Sequence, residues 1–417
     1  MSALPGRVVN FGCRLNTCES ERIGDFIREL GLNNVVLINT CAVTAEAERK
    51  LCQTIRRLHV ENPEAKIVLT GCASELHPER YMQMDGVVGI VSNKTKLSKS
   101  EYVKYTEETS LWASTAASAF VCRKVRGFLQ IQNGCDQKCT YCVVRLTRGN
   151  NVSLSEDDIV NQARFLLDRG HRDIILTGVN ISAYGRDRDP RQNLAFLIRY
   201  LLRNVPELTR LGLSSLDPAD MDDDLLKLIE SEERLLPHIH ESLQSGDNLI
   251  LKRMGRRHTR SQVIEINERI LRARPEVIFG ADIIVGFPTE SDDMFNHTKY
   301  LISEATISRL HIFPFSPRPG TPASSMPMVE KQTVRCRVKE MQALSSEVLG
   351  KKLMEQIGKD IIILAEDQAN GKTNSFLPVW SSSVMVAGHE YLFRCDRTDG
   401  RVIIGRPIAE RRRDGIF

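Results

Sequence analysis

Three cysteines within eight residues, directly after an apolar strand, constrain this chain more than any other feature. Cys135, Cys139 and Cys142 stand in the run Gly-Cys-Asp-Gln-Lys-Cys-Thr-Tyr-Cys at 134–142, after a strand predicted at 128–132. One short loop can turn three thiolates toward one point, and thiolates are soft ligands suited to iron–sulfur clusters or zinc. Zinc sites usually take four protein ligands with paired CxxC spacing. The loop therefore favours an iron–sulfur cluster that keeps one iron open for a small molecule.

Composition restricts the class of protein. The 417 residues are enough for two or three domains, and 41% hydrophobic with 26% charged residues is a globular composition. No apolar run approaches the roughly 18 residues of a membrane span, and the amino terminus lacks an apolar signal core. We therefore expect a cytoplasmic protein without a membrane partner. In that reducing compartment, eleven cysteines indicate metal or cluster ligation, and the net charge of +4 permits an anionic partner without requiring one.

The first piece of the chain, residues 1–115, alternates short apolar strands with amphipathic helices. This alternation predicts parallel βαβ units, and hence an α/β domain with a parallel sheet. The predicted strands are 7–11, 34–38 and 66–69, and the predicted helices are 19–30 and 45–60. A stretch rich in Ser, Thr and Ala at 106–118 is interpreted as a linker.

The second piece, residues 116–350, repeats the strand–helix alternation six times. Six units exceed an open three-unit half-sheet and fall short of the eight units of a complete barrel. Short, evenly spaced strands therefore favour a partial (β/α)6 barrel. The predicted strands are 128–132, 173–177, 210–214, 238–243, 279–285 and 308–315, and the predicted helices include 156–167, 223–230, 261–272 and 294–303.

The third piece, residues 351–417, changes to short strands separated by Gly, Asn and Asp turns. Strands predicted at 361–364, 376–379, 391–394 and 402–404 indicate a small all-β barrel. Between residues 394 and 413, seven arginines stand against three acids. A small β module with clustered arginines is typical of proteins that bind RNA or single strands, and an ordinary solvated surface is the alternative.

A second set of cysteines is defined by position rather than by spacing. Cys13, Cys41 and Cys72 each follow one of the three strands predicted in the first piece. Because the carboxyl ends of parallel strands lie along one edge of a sheet, we expect these thiols to converge. The alternative is that they are simply buried cysteines beside strands. The remaining five cysteines are interpreted as ordinary core or surface thiols that belong to neither set: Cys18, Cys52, Cys122, Cys336 and Cys395.

These motifs resemble one family, the radical S-adenosylmethionine (SAM) methylthiotransferases. The CxxxCxxC loop, with an aromatic residue before its last cysteine and after the first strand of a partial barrel, is similar to that of the radical SAM superfamily. The third piece resembles a TRAM domain, a small RNA-binding β-barrel. Further matching stretches lie at 12–16, 39–44, 70–72, 147–149, 177–180, 214–218, 242–246 and 282–288, so the resemblance extends over essentially the whole chain.

The resemblance implies an enzyme with two 4Fe-4S clusters that consumes SAM. The three cysteines of the loop would hold the cluster that cleaves SAM to a 5′-deoxyadenosyl radical. Cys13, Cys41 and Cys72 would hold an auxiliary cluster that carries or donates sulfur. One SAM would methylate that sulfur, and a second SAM would give the radical that removes hydrogen from carbon 2 of an adenine, where the CH3–S group is then placed.

The resemblance also implies a set of residues that contact SAM. Relatives use a backbone glycine and polar groups at strand ends. Arg148 is expected to pair with either a carboxylate of SAM or an RNA phosphate, and Gly178 and Ser214 have the alternatives of a simple turn and a helix cap. The candidates are Tyr141, Gly178, Asn180, Ser214, Gln244 and Arg148.

Relatives in this family differ in substrate. One group modifies isopentenyladenosine in tRNA, one modifies threonylcarbamoyladenosine at the same position, and one modifies an aspartate of a ribosomal protein. The stretches at 13–20, 40–44 and 310–322 resemble the threonylcarbamoyladenosine group most. We therefore expect methylthiolation of carbon 2 of N6-threonylcarbamoyladenosine at position 37 of tRNA. The other two substrates remain alternatives, as does a non-catalytic iron–sulfur protein that binds RNA.

Partners follow from this expectation. The anticodon loop of tRNA would be the substrate, a flavodoxin or ferredoxin would be the electron donor, and the enzyme would act as a monomer. The run at 252–260 has five Lys or Arg residues and no acid, so it is predicted to contact phosphate, with a solvated helix start as the alternative. Two residues depart from the family pattern: Arg145, where Pro is usual, and Glu241, where an apolar residue is usual. Glu241 is expected either to face outward or to mark a change near SAM.

Overall fold

The computed structural model describes residues 5–106 and 125–411, which form three units in the predicted order. The first is an α/β unit, the second is a partial barrel of parallel strands, and the third is a closed β-barrel. The predicted α/β fold class is thereby confirmed. From residue 107 onward, the predicted linker lies outside the described residues, and the domain boundaries stay predictions. None of the helices in the described ranges is long and apolar enough to cross a membrane.

The first unit is a four-stranded parallel sheet in the order β1-β2-β3-β4 with helices on both faces. Every residue of β2 is buried, as expected for an apolar strand covered on both sides. The fourth strand was not predicted from the sequence. The strands are β1 Arg7–Asn10, β2 Val35–Thr40, β3 Lys66–Gly71 and β4 Val87–Val91, and the helices are α1 Arg14–Glu29, α2 Ala45–Glu61, α3 Cys72–Leu76, α4 Pro78–Met82 and α5 Ser100–Val103.

The two faces of this sheet pack against different helices. Ile23, Phe26 and Ile27 of α1 pack on Leu37 and Val68. On the other face, α2 contributes its own apolar residues to a core with alternate residues of β2 and β3. Because β1, β2 and β3 are parallel, the loops after them emerge at the same edge of the sheet, and these loops carry the second set of cysteines.

The second unit contains six parallel strands in one curved row. One sheet has the order β5-β8-β9 and the other β10-β11-β12, and the parallel bridges Leu211–Leu235 and Leu216–Glu241 connect the two. Helices cover the outer face, where one large apolar core lies between them and the strands. All six predicted strands and the four predicted helices are present, within two residues at most ends.

The bounds of this unit are as follows. A short antiparallel ribbon of β6 and β7 follows the first strand. The strands are β5 Arg126–Gln130, β6 Gln132–Asn133, β7 Val152–Ser153, β8 Asp173–Thr177, β9 Leu211–Leu213, β10 His238–Gln244, β11 Ile278–Val285 and β12 Ile307–Pro314. The helices are α6 Val144–Arg148, α7 Glu156–Asp168, α8 Leu194–Asn204, α9 Asp223–Ser231, α10 Asn248–Met254, α11 Arg260–Ala273, α12 Asp292–Glu304 and α13 Lys331–Met354.

The third unit is a closed five-stranded barrel in the order β13-β14-β15-β17-β16. It lies against the amino-terminal ends of the partial barrel, where Arg309 Nη1 donates to the carbonyl of Phe376 at 2.7 Å and Arg126 lies over the Phe376 ring. The carboxyl-terminal ends of the partial barrel are therefore the ends remote from this unit. Its strands are β13 Asp360–Ala365, β14 Asn370–Thr373, β15 Pro378–Ser381, β16 Glu390–Thr398 and β17 Ile403–Glu410.

Candidate functional site

The segment 134–143, which we name the cysteine loop, carries Cys135, Cys139 and Cys142 between β6 and α6. All three thiols are free and partly buried. The backbone N–H of Cys135 donates to the carbonyl of Gly149 at 3.0 Å, and that of Cys142 donates to the carbonyl of Cys139 at 3.2 Å. These bonds hold the three cysteines on one compact turn that leads into α6.

The chemistry of these thiols suits a cluster. Burial, together with negative charge at Cys139 and Cys135, raises the pKa of the Cys142 thiol to about 12. Burial is also the main cause that raises the pKa of Cys135. Thiolates this crowded need a compensating positive charge, and iron ligated by cysteine supplies it. The residues present therefore fit a cluster held by three thiolates.

A polar network supports the cysteine loop from the barrel side. Gln137 Nε2 donates to Asp217 at 2.5 Å, and Arg256 lies 3.0 Å from the same carboxylate and 3.7 Å from Cys139 Sγ. Burial alone would raise the pKa of Asp217, but His258 and Arg256 hold it well below its usual range. The carboxylate is thus ionised, and it fixes an arginine beside the sulfur of Cys139.

Gly178 lies where the first two strands of the partial barrel end. A Cβ at this position would stand 2.8 Å from Gln132 Oε1 and 2.9 Å from the backbone oxygen of Gln132, so a larger residue would displace Gln132. That same oxygen accepts hydrogen bonds from the N–H groups of Val179 and Asn180, both at 2.9 Å. The buried Gln132 therefore shapes the loop 178–180, and sequence analysis missed it. Its signal was a polar residue at the end of a buried strand.

The other SAM candidates occupy the same end of the barrel or the cysteine loop. Ser214 follows β9 directly and is buried, and its N–H donates to the carbonyl of Leu176 at 3.0 Å. Gln244 ends β10 with a φ of 73°, a left-handed conformation that a residue other than glycine adopts at some cost. Tyr141 packs edge-on against Phe287 with ring centroids 6.5 Å apart. Their roles toward SAM stay predictions.

The second set of cysteines lies at one edge of the first sheet. Cys13 precedes α1, Cys41 follows β2, and Cys72 begins α3 after β3. A Cβ on Gly12 would stand 3.1 Å from Cys41 Sγ, so the loop that carries Cys13 closely approaches Cys41. Burial raises the pKa of Cys41 to about 11, and negative charge at Cys13 and Cys72 contributes. The second set therefore also fits a cluster held by three thiolates.

Arg148 connects the two sets of cysteines. It ends α6, directly after the cysteine loop, and its Nε donates to Cys72 Sγ at 3.3 Å. Its two terminal nitrogens bind both carboxylate oxygens of Glu19 at 2.7 and 3.0 Å. Negative charge at Cys72 also contributes to the raised pKa of Cys142. Arg148 was expected at a SAM carboxylate or an RNA phosphate, but here its guanidinium is engaged by Glu19 and Cys72.

Sequence analysis missed the buried network around Glu19. Lys96 Nζ donates to Glu19 Oε2 at 2.5 Å and to Asn93 Oδ1 at 2.8 Å, and the side chains of Glu19 and Lys96 are 0% and 1% exposed. Asn93 Nδ2 donates in turn to the carbonyl of Thr147 at 2.8 Å. Asn16 accepts from Arg148 at 2.8 Å and lies 3.6 Å from Cys13 Sγ. Because Glu19 is 77 positions from Lys96 and 129 positions from Arg148, no local pattern indicated this network.

The two departures from the family pattern have different surroundings. Arg145 is exposed on α6. Glu241 is 0% exposed and lies between Ile239 and Leu243, both in the apolar core under the helices. Burial raises its pKa to about 8. Glu241 therefore faces the helical layer and points away from the barrel lumen. It faces outward, as the first of the two expectations has it, but it has no access to solvent.

The basic run at 252–260 is largely engaged inside the protein. Arg256 pairs with Asp217, Arg257 binds Asp220 at 2.6 Å, and Arg260 binds Glu304 at 2.7 Å. Three of its five cations therefore have acidic partners, and a fourth, Arg253, donates to Thr289 Oγ1 at 2.7 Å. Lys252 remains exposed on α10. Fewer cations of this run than predicted are therefore available to contact phosphate.

The other cysteines have separate environments, and Cys122 lies outside the described ranges. Cys18 Sγ donates to the carbonyl of Phe128 at 3.2 Å, and burial raises its pKa to about 12. Cys395 is buried in the third unit, and Cys336 is exposed on α13. Arg80 lies 3.8 Å from Cys52 Sγ. None of these four belongs to either of the two sets.

Comparison with family models supports this arrangement. Residues 129–301 match the radical SAM superfamily, and residues 7–92 match the uncharacterized protein family UPF0004. The two matched regions contain the cysteine loop and the second set of cysteines, respectively.

Solved structures resemble the fold. The radical S-adenosylmethionine methyltransferase TsrM from Kitasatospora setae, solved with cobalamin and a 4Fe-4S cluster, aligns with a TM-score of 0.54 over 78% of this chain and 77% of that chain. Its sequence identity is only 14%, so this likeness supports the fold alone.

Curated relatives cover nearly the whole chain. The threonylcarbamoyladenosine tRNA methylthiotransferase MtaB of Rickettsia prowazekii is 40% identical over 91% of this chain and 92% of its own length. The protein of the same name from Thermotoga maritima is 34% identical over 86% of each chain. A tRNA-2-methylthio-N(6)-dimethylallyladenosine synthase from Erythrobacter litoralis is 33% identical over 81% of each chain. With both sets of cysteines present and this identity over the full length, the chain belongs to the radical SAM tRNA methylthiotransferase family.

Proposed function

We propose that this enzyme methylthiolates carbon 2 of N6-threonylcarbamoyladenosine at position 37 of tRNA, with two 4Fe-4S clusters and SAM. The observation that carries the proposal is the position of Arg148. It ends α6, the helix that follows the cysteine loop, and its Nε lies 3.3 Å from Cys72 Sγ. Two thiolate sites this close allow a radical source and a sulfur source to act on one base. The relatives named for threonylcarbamoyladenosine support this substrate over isopentenyladenosine.

The chemistry needs such proximity. An unactivated aromatic C–H bond resists acid–base chemistry, so a radical route and a sulfur donor must meet in one cavity. When bound, the clusters and SAM would supply the electron, the 5′-deoxyadenosyl radical and the methylated sulfur. Cys135, Cys139 and Cys142 would hold the first cluster, and Cys13, Cys41 and Cys72 would hold the auxiliary one.

The protein's own residues position and seclude these groups. Gln132 holds the loop 178–180 through two N–H groups, and it fills the space that a Cβ on Gly178 would take. Arg256 places positive charge beside Cys139. The buried pair of Arg148 and Glu19 fixes the first unit against the barrel, so the distance between the two thiolate sites is set by the fold.

Exposed arginines of the third unit support tRNA as the partner. Arg397 and Arg401 are exposed and have no ion pair in the part of the chain that the structure describes. Arg394, Arg406 and Arg411 are paired with nearby acids instead. Two unpaired cations on a small β-barrel suit contact with backbone phosphates. A flavodoxin or ferredoxin as electron donor, a monomeric state and a cytoplasmic location remain part of this proposal.

The test is nucleoside mass spectrometry of total tRNA from cells with and without this protein. Loss of methylthio-threonylcarbamoyladenosine with accumulation of its precursor supports the proposal. A loss of the methylthio-isopentenyl nucleoside instead would assign the other tRNA substrate. If neither nucleoside changes, the ribosomal-protein aspartate or the non-catalytic alternative replaces the proposal, and formation of 5′-deoxyadenosine under strong reductant decides between those two.

Matched variants separate the two cysteine sets. Reconstituted wild-type protein should contain about eight irons, from two four-iron clusters. Cys41→Ser should lower the content to about four and abolish methylthiolation, while SAM cleavage persists. Cys139→Ser should abolish SAM cleavage. Cys336→Ser, an exposed thiol on α13, is the control and should change neither quantity. A wild-type content near four would argue against the auxiliary cluster.

A further inference from the structure

A small cationic cavity lies inside the partial barrel, at the junction of all three units. Its volume is about 90 Å³. The first unit contributes Arg14, and the third contributes Lys372. The barrel strands contribute Arg126, Arg309, His238 and His311, among others. These barrel residues lie in the amino-terminal or middle part of their strands, below the strand ends where the SAM candidates lie.

Positive charge in this cavity exceeds the negative charge that balances it. Arg126 pairs with Asp173 at 3.2 Å, and Lys372 lies 3.5 Å from Glu366. Arg14, by contrast, has no hydrogen bond or ion pair with any described residue. Arg309 donates to a backbone carbonyl, and among residues 5–106 and 125–411 no acid pairs with it. Burial and the charge of Arg126 lower the pKa of Arg309. Two guanidinium groups therefore face the cavity without a carboxylate in ion-pair distance among the described residues, and Asp282 is the acid whose charge acts on Arg14.

The histidines of the cavity add polar atoms. His240 Nε2 and His311 Nδ1 lie 3.0 and 3.2 Å from the same oxygen of Asp282. His238 is only 4% exposed, and its Nδ1 lacks a hydrogen-bond partner within the described ranges. The three groups around Asp282 are close enough to hold a metal ion. Because uncompensated arginines line the same cavity, an anion is the better ligand than a divalent cation.

The depth and size of the cavity restrict the anion. His238 and His240 are buried in the lumen, whereas the side chain of His311 is 53% exposed, so among the three histidines the cavity is open to solvent only on the side of His311. At about 30 Å³ per water, the volume corresponds to about three water molecules. This suits a carboxylate with a short hydroxyalkyl stem and is too small for a nucleoside. The threonylcarbamoyl group ends in such a carboxylate, while an isopentenyl group carries no charge.

We propose that this cavity binds the carboxylate of the threonylcarbamoyl group on the substrate base, with Arg309 and Arg14 as its charged partners. The inference rests on the proposed function, because it presupposes that substrate. The cavity would then determine specificity, because it favours an adenine with an anionic substituent over an adenine with an apolar one. The SAM candidates lie at or beyond the carboxyl ends of the same barrel strands, above this cavity.

The experiment measures binding rather than turnover. Fluorescence anisotropy gives the Kd of the reconstituted full-length enzyme for an anticodon stem-loop that carries threonylcarbamoyladenosine, its methyl ester, or unmodified adenosine. The methyl ester removes the negative charge and adds one methyl group. We expect wild type to bind the carboxylate form about 10- to 100-fold more tightly than the ester, as for a lost hydrogen bond to a charged group. Arg309→Gln should remove this difference and leave the affinity for the ester unchanged.

Control variants distinguish a carboxylate contact from a phosphate contact and from misfolding. Arg272→Gln removes an exposed arginine on α11 and should preserve the preference for the carboxylate. Iron content and melting temperature report whether Arg309→Gln folds, and Arg14→Gln provides a second variant from a different unit. Equal weakening of all three stem-loops would indicate a phosphate contact and overturn the proposal. Unchanged affinities in both variants would also overturn it.

Failure of this inference is distinguishable from failure of the proposed function. If mass spectrometry assigns threonylcarbamoyladenosine but both variants keep the wild-type preference, only the cavity assignment fails. If mass spectrometry assigns isopentenyladenosine and wild type does not distinguish the carboxylate from its ester, both fail together.

Discussion

The buried carboxyl of Glu241 predicts an unusual dependence of stability on pH. Its only hydrogen bond in the part of the chain that the structure describes is a long one from Asn267 Nδ2, at 3.4 Å, and its Oε1 has no partner there. Burial raises its pKa from an ordinary 4.5 to about 8. In the folded protein the group is therefore protonated at a pH at which the unfolded chain has already released the proton.

The sign of the effect follows from this shift. A folded pKa above the unfolded value means that the folded state binds more protons between pH 4.5 and pH 8, so stability falls as pH rises through that window and is constant above it. A shift from 4.5 to about 8 is about 3.5 units, and at 1.36 kcal/mol per unit the full penalty is on the order of 5 kcal/mol. At pH 5 the same relation gives a penalty of about 1 kcal/mol.

The perturbation that tests this reasoning is Glu241→Gln. The amide is nearly isosteric, carries no charge, and can donate to Asn267 Oδ1, a buried acceptor with no donor among the described residues. We expect the variant to exceed wild type in stability by about 1 kcal/mol at pH 5 and by about 4–5 kcal/mol at pH 8.5. Urea unfolding followed by circular dichroism at both values measures the difference.

A matched control is Glu233→Gln, at an exposed carboxyl in the loop after α9. It should leave stability unchanged at both pH values. A Glu241→Gln advantage that is equal at pH 5 and pH 8.5 would refute the reasoning, because it would show that protonation of this carboxyl does not differ between the folded and unfolded states.

Two further predictions concern the candidate site. Arg148→Gln leaves Glu19 buried with Lys96 as its remaining charged partner, so we expect a loss of about 3–5 kcal/mol in stability and of the iron of the auxiliary site, measured by denaturation and iron content. Arg148→Lys should not rescue the variant, because a lysine cannot bind both oxygens of Glu19 in a bidentate pair, and an unchanged iron content would contradict the role. Gly178→Ala places a Cβ 2.8 Å from Gln132 Oε1 and should weaken SAM binding about tenfold or more in equilibrium dialysis. Gly24→Ala, whose Cβ would meet nothing closer than 3.5 Å, is the control and should bind SAM normally.

Much of the fold was predictable because it depends on local patterns. The strands of the partial barrel are apolar runs with helices between them, and their predicted positions are confirmed within two residues at most ends. Among the strands that were missed, β4 and β14 show the physical reasons. β4 follows a short turn and is only partly buried, and β14, Asn-Gly-Lys-Thr, has no apolar residue to mark it. Its pairing with β13 and β15 makes it a strand, and that is tertiary information.

The site was predictable only where spacing carries the information. The cysteine loop is contiguous in sequence, and the second set follows strand ends, so both sets could be proposed without a structure, and their roles as cluster ligands stay predictions. The charged partners of these residues could not be predicted from the sequence. The basic run at 252–260 gives a correct count of cations, but Asp217 and Asp220 come from an earlier loop and neutralise part of it. Likewise, Arg148 meets Glu19 across 129 positions.

The buried ion pairs between units are better explained by geometry than by stability. Arg148 joins the first unit to the barrel through Glu19, and Arg210 joins the barrel to the third unit through Glu390 at 2.8 Å. The desolvation of such pairs offsets most of their attraction, so apolar contacts of the same volume would hold the units together equally well. Apolar contacts tolerate sliding, however, whereas a bidentate arginine pair fixes distance and angle. In the proposed function the reaction space would take Cys72 from the first unit and the cysteine loop from the second, and the cationic cavity would add Lys372 from the third. Because small displacements between these groups would then separate the sulfur source from the base, a fixed orientation of the three units is the property that the proposed chemistry would require.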